Sequence, residues 1–105
     1  MAFAAALDWL SAERTPVVNL SLAGPDNMIV ALAVQRAAAK GMVLVAAAGN
    51  DGPAASPAYP AAYPSVLAVA AVDAHRNPDP EGNRGDYIAF AAPGIQIWTP
   101  SHDGG

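Results

Sequence analysis

Two short apolar runs, separated by a segment of helical length, restrict the fold of this chain more than any other feature. Residues 17–20 (VVNL) and residues 42–47 (MVLVAA) are rich in valine and leucine, as buried strands are. The second run is apolar throughout, which favours a strand covered on both faces of a parallel sheet. Because parallel neighbours need a crossover of a dozen or more residues, the two runs and the segment between them predict a βαβ unit.

Two segments are predicted to be helical. Residues 2–12 are rich in alanine and carry larger apolar residues at helical spacing, and Thr15-Pro16 ends the pattern. Residues 27–40 repeat the spacing, with Asp26 as the expected N-cap. Gly41 follows this second segment, in the position that glycine prefers after a helix.

The remainder of the chain alternates loops with strands. The predicted order is a loop rich in small residues, a strand, a polar loop and two short strands, at residues 49–64, 65–72, 73–86, 87–91 and 95–98. Helices alternating with strands are typical of an α/β fold with right-handed crossovers. A complete doubly wound domain has more strands, so the sheet is expected to be truncated at both ends.

Composition excludes several classes of function. The 105 residues suit one small domain or part of a larger one, and 53% hydrophobic against 13% charged residues argues for a packed core. With five Lys and Arg and a net charge of -4, the chain lacks the basic patch that nucleic-acid binding needs. No stretch is long enough to span a bilayer, so no membrane partner is expected. The absence of cysteine excludes disulfides and thiolate metal sites.

The residues that follow the first two predicted strands are candidates for chemistry. Sites in parallel sheets form outside the carboxyl ends of strands, where Ser21 follows the first strand and Gly49-Asn50 follows the second. The amide of Asn50 can donate a hydrogen bond to a developing negative charge, although Asn after Gly is also a common turn pair. Ser21 lies in no G-x-S-x-G elbow, so it is not expected to be a nucleophile.

Four segments resemble the subtilisin-like serine proteases (subtilases, the peptidase S8 family) in order and in spacing. They are residues 17–25 (VVNLSLAGP), 41–50 (GMVLVAAAGN), 59–66 (YPAAYPSV) and 91–94 (AAPG). One such match is weak, but four in the family's order argue against chance. The resemblance implies an α/β fold in which residues 1–105 form part of the catalytic domain: a subtilisin-like parallel sheet with flanking helices, truncated at both ends.

The resemblance also implies roles for individual residues. Asn50 would be the side-chain donor of the oxyanion hole, a group that stabilises the charge that acyl transfer builds on a carbonyl oxygen. The implied substrate-binding residues form two walls and the floor of an S1 pocket: Ser21, Leu22 and Ala23; Ala47, Ala48 and Gly49; and Ala58. The family often has glycine where Ala58 stands, so its methyl group predicts a shallower pocket. A cis peptide at Tyr59-Pro60 is implied as well.

The resemblance also indicates what the chain does not contain. Hydrolysis by this route needs Ser, His and Asp in one constellation. The family's Asp and His segments precede the part matched here and its Gly-Thr-Ser motif follows, so the chain is expected to be inactive alone. No cofactor or metal is expected in this segment. Calcium is possible in the parent protein, with the carbonyls of Ala61 and Tyr63 near one family site.

Three interpretations remain at this point. The chain is the middle of a subtilase that cleaves peptide or protein substrates, a degenerate subtilase-like module that only binds, or an unrelated α/β domain with a small-molecule pocket beside Gly49 and Asn50. The first predicts exposed sheet edges and self-association of the fragment, whereas the third predicts an intact monomer. The compartment is not determined by these residues, and the resemblance implies a secreted or extracytoplasmic parent.

Overall fold

A computed structural model describes residues 2–98 and 100–101. Its elements, in chain order, are α1 (Ala2–Ala12), β1 (Val17–Leu20), α2 (Met28–Ala39), β2 (Val43–Ala47), β3 (Val66–Val72) and β4 (Ile88–Pro93). The strands form one sheet in the order β1-β2-β3-β4, and every neighbouring pair is parallel. The α/β class and the βαβ unit predicted from the two apolar runs are therefore confirmed.

Helix α1 ends in a Schellman motif built without glycine. The backbone N–H of Arg14 donates to the carbonyl of Ser11, and that of Thr15 donates to the carbonyl of Leu10, each at 3.0 Å. This pattern needs a left-handed residue after the helix, and Arg14 adopts it with φ 58°. The motif satisfies carbonyls at the end of α1 and turns the chain into β1 over Pro16.

Helix α2 is capped by Asn27, so the expectation that Asp26 is the N-cap is wrong. The Asn27 Oδ1 atom accepts from the backbone N–H groups of Ile29 and Val30 at 2.9 and 3.2 Å. Asp26 is occupied elsewhere, because its carboxylate accepts from the Tyr63 hydroxyl at 2.9 Å. The same hydroxyl oxygen accepts from the Asn27 N–H at 3.0 Å, which ties the start of α2 to a distant loop.

The C-terminus of α2 confirms the position expected for glycine. Gly41 has φ +91° and donates its N–H to the carbonyl of Ala38 at 3.0 Å. Met42 then donates to the carbonyl of Ala37 at 3.2 Å, which completes a second Schellman motif. The chain passes directly into β2.

The last strand differs from the prediction in length and number. The sequence predicted strands at residues 87–91 and 95–98, whereas one strand, β4, runs from Ile88 to Pro93 with a bulge opposite Ala68 and Val69 of β3. Residues 95–98 form no strand, because Gln96 adopts φ 55° and the backbone there is not extended.

The hydrophobic core lies on one face of the sheet. Both helices contribute to it, and the inward side chains of β1, β2 and β3 alternate along each strand; its central members are Leu7, Leu20, Val34, Ala37, Leu44, Ala46, Val66 and Ala68. The opposite face carries Val17, Val43, Leu67 and Phe90, which are 57%, 45%, 39% and 59% exposed. The expectation that β2 is covered on both faces is therefore wrong for this chain, because both described helices pack on the same side. No helix in the described ranges is long and apolar enough to cross a membrane.

Candidate active site at the carboxyl ends of the strands

The loops that leave β1 and approach β3 are joined by an isolated antiparallel bridge. Gly24 donates its N–H to the carbonyl of Tyr59 at 2.8 Å, and Tyr59 donates back to the carbonyl of Gly24 at 3.0 Å. The next peptide, Tyr59-Pro60, is cis, as the resemblance implied. Two segments 35 residues apart in sequence are thus held side by side beyond the carboxyl end of β1.

This bridge forms one side of a cavity of about 350 Å³. The cavity is lined by small and polar residues from three segments: Ala23, Gly24, Pro25, Asp51, Ala55, Ser56, Pro57 and Ala58. Ala23 and Ala58, predicted as part of a wall and as the floor of a substrate pocket, therefore line the same cavity. Asp51, the residue after Asn50, lines it as well.

The other predicted substrate-binding residues are distributed around this cavity. Leu22 lines a neighbouring apolar cavity of about 290 Å³ that it shares with Ala23. The face of the sheet opposite the helices, which carries Val43 and Leu67, is called the bare sheet face. Ser21 and Ala47 line a groove of about 260 Å³ at the carboxyl end of this face. Ala48 is only 2% exposed, and its carbonyl accepts from the Tyr87 hydroxyl at 2.8 Å.

Gly49 brings the end of β2 against the cavity floor. It adopts φ +113°, a conformation that side chains rarely allow. A Cβ atom at this position would lie 3.2 Å from the Ala58 Cβ and 2.7 Å from the Asn83 Nδ2. Glycine is therefore required at this turn by the backbone conformation and by the close packing together.

Asn50 stands between two residues that are held in place. Its predecessor, Gly49, accepts at its carbonyl from the backbone N–H of Asn83 at 3.0 Å. Its successor, Asp51, donates its N–H to the Asn83 Oδ1 at 2.8 Å. The side chain of Asn50 is exposed and has no hydrogen bond to any described residue, so its amide is available to a ligand. The site therefore combines an ordered backbone with a free donor.

Asn83 is the residue of this site that the sequence did not reveal. It is the buried polar residue of the described chain, at 2% exposure, and its Nδ2 also faces the carbonyl of Ser56 at 3.4 Å. In the sequence it stands in a polar segment, between Gly82 and Arg84, where asparagine is an ordinary turn residue. A single sequence carries no signal that separates a buried loop asparagine from an exposed one.

A second polar loop, residues 73–79, lies beyond the carboxyl end of β3 and is stabilised by its own residues. The Asp73 Oδ1 accepts from the backbone N–H groups of His75 and Asn77, each at 2.8 Å, and its Oδ2 accepts from the Asn77 side chain at 3.2 Å. The bond from the Asn77 N–H, together with the others, lowers the pKa of Asp73 below its ordinary value.

The pKa of Tyr63 is shifted in the opposite direction. Burial raises it above its ordinary value, opposed by the hydrogen bond with the Asn27 backbone and assisted by that with the Asp26 carboxylate. Since this hydroxyl lies at the start of α2, its role is to join α2 to the loop after the cis peptide.

The residues suggested for calcium do not make a site by themselves. Calcium takes six to eight oxygen ligands, commonly with carboxylates among them. The residues at hand offer two carbonyls, and that of Tyr63 already accepts from the Val66 N–H at 3.0 Å. Among residues 2–98 and 100–101, no group of three or more His, Asp or Glu side chains is close enough to hold a metal ion.

The comparison with known families excludes one of the three interpretations. The model of the subtilase family, Peptidase_S8, matches residues 1–103. The chain belongs to the subtilase family. An unrelated α/β domain is thereby excluded. Subtilisin DY of Bacillus licheniformis is 37% identical over 102 residues, which cover 93% of this chain and 37% of that protein. Minor extracellular protease Epr of Bacillus subtilis (strain 168) is 42% identical over 92 residues, 87% of this chain and 14% of that protein.

Solved subtilase structures share the fold described above. The psychrophilic subtilisin-like protease Apa1 from the Antarctic psychrotroph Pseudoalteromonas sp. AS-11 matches with a TM-score of 0.79 and 34% identity, over 87% of this chain and 21% of that one. The prenylagaramide maturation protease PagA matches with a TM-score of 0.87 and 29% identity, over 97% of this chain and 39% of that one. This subtilase chain therefore spans less than half the length of these relatives.

Proposed function

We propose that this chain is a part of the catalytic domain of a serine endopeptidase, and that it supplies the oxyanion-hole donor and substrate-pocket walls. Family membership supports a serine protease as the parent. The observation that carries the finer proposal is the position of Asn50, an exposed residue between the Gly49 turn and Asp51, which lines the cavity. The hydrogen bonds on either side of Asn50 restrain its backbone, and electrostatic preorganisation requires a donor held in a fixed position.

In the proposed reaction, a serine from another part of the parent attacks the scissile carbonyl carbon. The carbonyl oxygen gains negative charge as the tetrahedral intermediate forms, and the Asn50 Nδ2–H donates to it. The triad histidine of the parent takes the serine proton and gives it to the leaving amine. Expulsion of the amine leaves an acyl-enzyme, which water hydrolyses to the acid product and free serine. Because the oxygen carries more negative charge in the transition state than in the ground state, the bond from Asn50 stabilises the transition state more.

The substrate of the proposed protease is a peptide or protein whose P1 side chain enters the 350 Å³ cavity. Ala23 and Ala58 line that cavity, and Gly49 packs on its floor, which supports the assignment of these three residues. The Ala58 methyl group occupies depth that glycine would leave open, so we expect small and medium P1 side chains to be preferred. Ser21, Leu22 and Ala47 are proposed to border the path of the substrate backbone, whereas the buried Ala48 supports this wall from behind.

Two further proposals concern the parent and the isolated chain. The parent is proposed to act outside the cell, as the extracellular protease of Bacillus subtilis named above does by its name. The chain alone is proposed to be inactive, because the triad that hydrolysis requires would come from residues outside the matched segments. Calcium remains a proposal for the parent only.

The decisive experiment is the variant Asn50→Ala in the complete protease. We expect kcat to fall by about 10²–10³-fold with KM nearly unchanged, the loss known for the oxyanion-hole asparagine of subtilisin. Asn77→Ala is the matched control, since it removes an exposed asparagine that bonds only within its own loop. A parent that lacks the nucleophilic serine contradicts the enzyme assignment and leaves a binding module. An Asn50→Ala variant with unchanged kcat contradicts the oxyanion role of Asn50.

Self-association of the isolated chain is proposed from the bare sheet face. Val17, Val43, Leu67 and Phe90 form an exposed apolar surface of the kind that soluble monomers avoid. We expect light scattering to show dimers or larger species, and Leu67→Lys with Phe90→Lys to reduce them. A monodisperse, folded monomer of the unmodified chain would contradict this proposal.

A further inference from the structure

We infer that Asn83 is a positioning residue that sets the direction of the Asn50 side chain, and so of the proposed oxyanion donor. The inference rests on the proposed function of Asn50. It adds a residue of another segment, 33 positions later in the chain, to the machinery of the site.

Two peptide units flank Asn50. The carbonyl of Gly49 belongs to the unit before Asn50, and the N–H of Asp51 belongs to the unit after it. Asn83 bonds to both: its backbone N–H donates to the Gly49 carbonyl at 3.0 Å, and its Oδ1 accepts from the Asp51 N–H at 2.8 Å. Peptide units are rigid planes, so holding both planes restricts φ and ψ of the residue between them. The direction of the Cα–Cβ bond of Asn50 is then restricted as well.

The residue type suits this task. The position needs an acceptor for the Asp51 N–H and a donor toward the Ser56 carbonyl, 3.4 Å away, and the asparagine amide provides both without a charge. The amide also fits closely against Gly49, where a Cβ atom would lie 2.9 Å from the Asn83 Cγ. Asn83 is only 2% exposed, so water has little access to replace these hydrogen bonds.

The neighbouring bonds show that the whole segment 81–87 holds this loop. Glu81 accepts at its carbonyl from the Gly52 N–H at 2.9 Å, and Tyr87 donates its hydroxyl to the Ala48 carbonyl at 2.8 Å. Asn83 is the member of this group that acts on both sides of Asn50. A donor misplaced by about 1 Å costs on the order of 10²-fold in rate, so loss of this restraint should reach the chemical step.

The test is a double-mutant cycle between Asn83→Ala and Asn50→Ala in the complete protease. In the parent background we expect Asn83→Ala to lower kcat about tenfold to a hundredfold with little change in KM. In the Asn50→Ala background the same substitution should lower kcat by less than about threefold, because the donor it positions is gone. A peptide aldehyde, whose tetrahedral adduct carries an oxyanion, should also bind Asn83→Ala more weakly, whereas an uncleaved peptide should bind both proteins equally.

Controls separate positioning from folding. Asn77→Ala makes the same change in a loop without bonds to residues 48–52 and should leave kcat unchanged. If Asn83→Ala fails to fold, Asn83→Leu enters the same cycle, since it keeps the side-chain volume and removes the acceptor for the Asp51 N–H.

The outcomes distinguish the two proposals. An equal loss of kcat in both backgrounds, or a loss confined to KM, overturns the role of Asn83 while Asn50→Ala still shows its own large effect. If Asn50→Ala itself leaves kcat unchanged, the proposed oxyanion role of Asn50 fails and the role of Asn83 fails with it.

Discussion

Two polar loops at the carboxyl edge of the sheet are stabilised in different ways. Residues 48–52, after β2, take their restraints from the distant residues Glu81, Asn83 and Tyr87. Residues 73–79, after β3, are stabilised mainly by Asp73, which accepts from the His75 and Asn77 amides two and four positions away. The first loop can exist only in the assembled fold, whereas the second carries its own geometry.

The difference indicates which loop is expected to carry function and which is expected to tolerate substitution. A loop that is held by remote partners keeps its conformation only while those partners are in place. Such restraints are useful where a catalytic side chain must point in one direction. A self-contained loop of exposed residues has no such requirement. The proposed donor, Asn50, lies in the first kind of loop.

The largest expected effect separates two glycines of the first loop. In Gly49→Ala, the new Cβ atom is placed on a backbone with φ +113° and would lie 2.7 Å from the Asn83 Nδ2. In Gly52→Ala, φ is +98° and no heavy atom lies within 4 Å of the new Cβ. Backbone strain of about 1–3 kcal/mol applies to both, and overpacking of a similar size adds to Gly49→Ala alone. Thermal unfolding of the complete protease should show Gly49→Ala as the less stable variant, with kcat reduced. Equal stabilities would contradict the close packing.

A smaller effect is expected from Tyr87→Phe. The substitution removes the hydroxyl that donates to the Ala48 carbonyl at 2.8 Å and leaves the ring in place. We expect the free energy of unfolding to fall by about 1 kcal/mol, measured by denaturant titration. Tyr59→Phe is the control for stability, because the Tyr59 hydroxyl makes no hydrogen bond to a described residue. If both variants lose the same stability, the bond to Ala48 contributes nothing specific.

The smallest effect belongs to the second loop and concerns pH. Hydrogen bonds from amide donors lower the pKa of Asp73 in the folded state. Its carboxylate therefore stabilises the folded state at any pH above the unfolded-state pKa, near 3.8. This stabilisation is lost as pH falls through the lower pKa of the folded state. A carboxyl NMR titration should place Asp73 below 3.8 in the folded protein. Asn77→Ala removes one of the donors and should move the midpoint upward without changing kcat. A midpoint at the ordinary value would show that the loop is not preformed.

Local sequence patterns predicted the elements well where a local cause acts. Gly41 ends α2 because the left-handed position after a helix favours glycine, and the apolar runs of β1 and β2 became neighbouring parallel strands. The prediction of the α2 N-cap was wrong because a residue distant in sequence determines which side chain caps the helix. Asp26 does not cap α2, because Tyr63, 37 positions away, engages its carboxylate and leaves the cap to Asn27.

By itself, the sequence determined the α/β class, the order of elements as far as β4 and the segment that carries Asn50, since periodicity, turn residues and ordered family motifs are all local information. The tertiary structure decided three other features. It placed both helices on one face of the sheet, joined Gly24 to Tyr59 in the bridge beside the cavity, and set Asn83 across the Asn50 loop. Each of these is a contact between distant segments, and burial and hydrogen bonding select such contacts only when the whole chain packs.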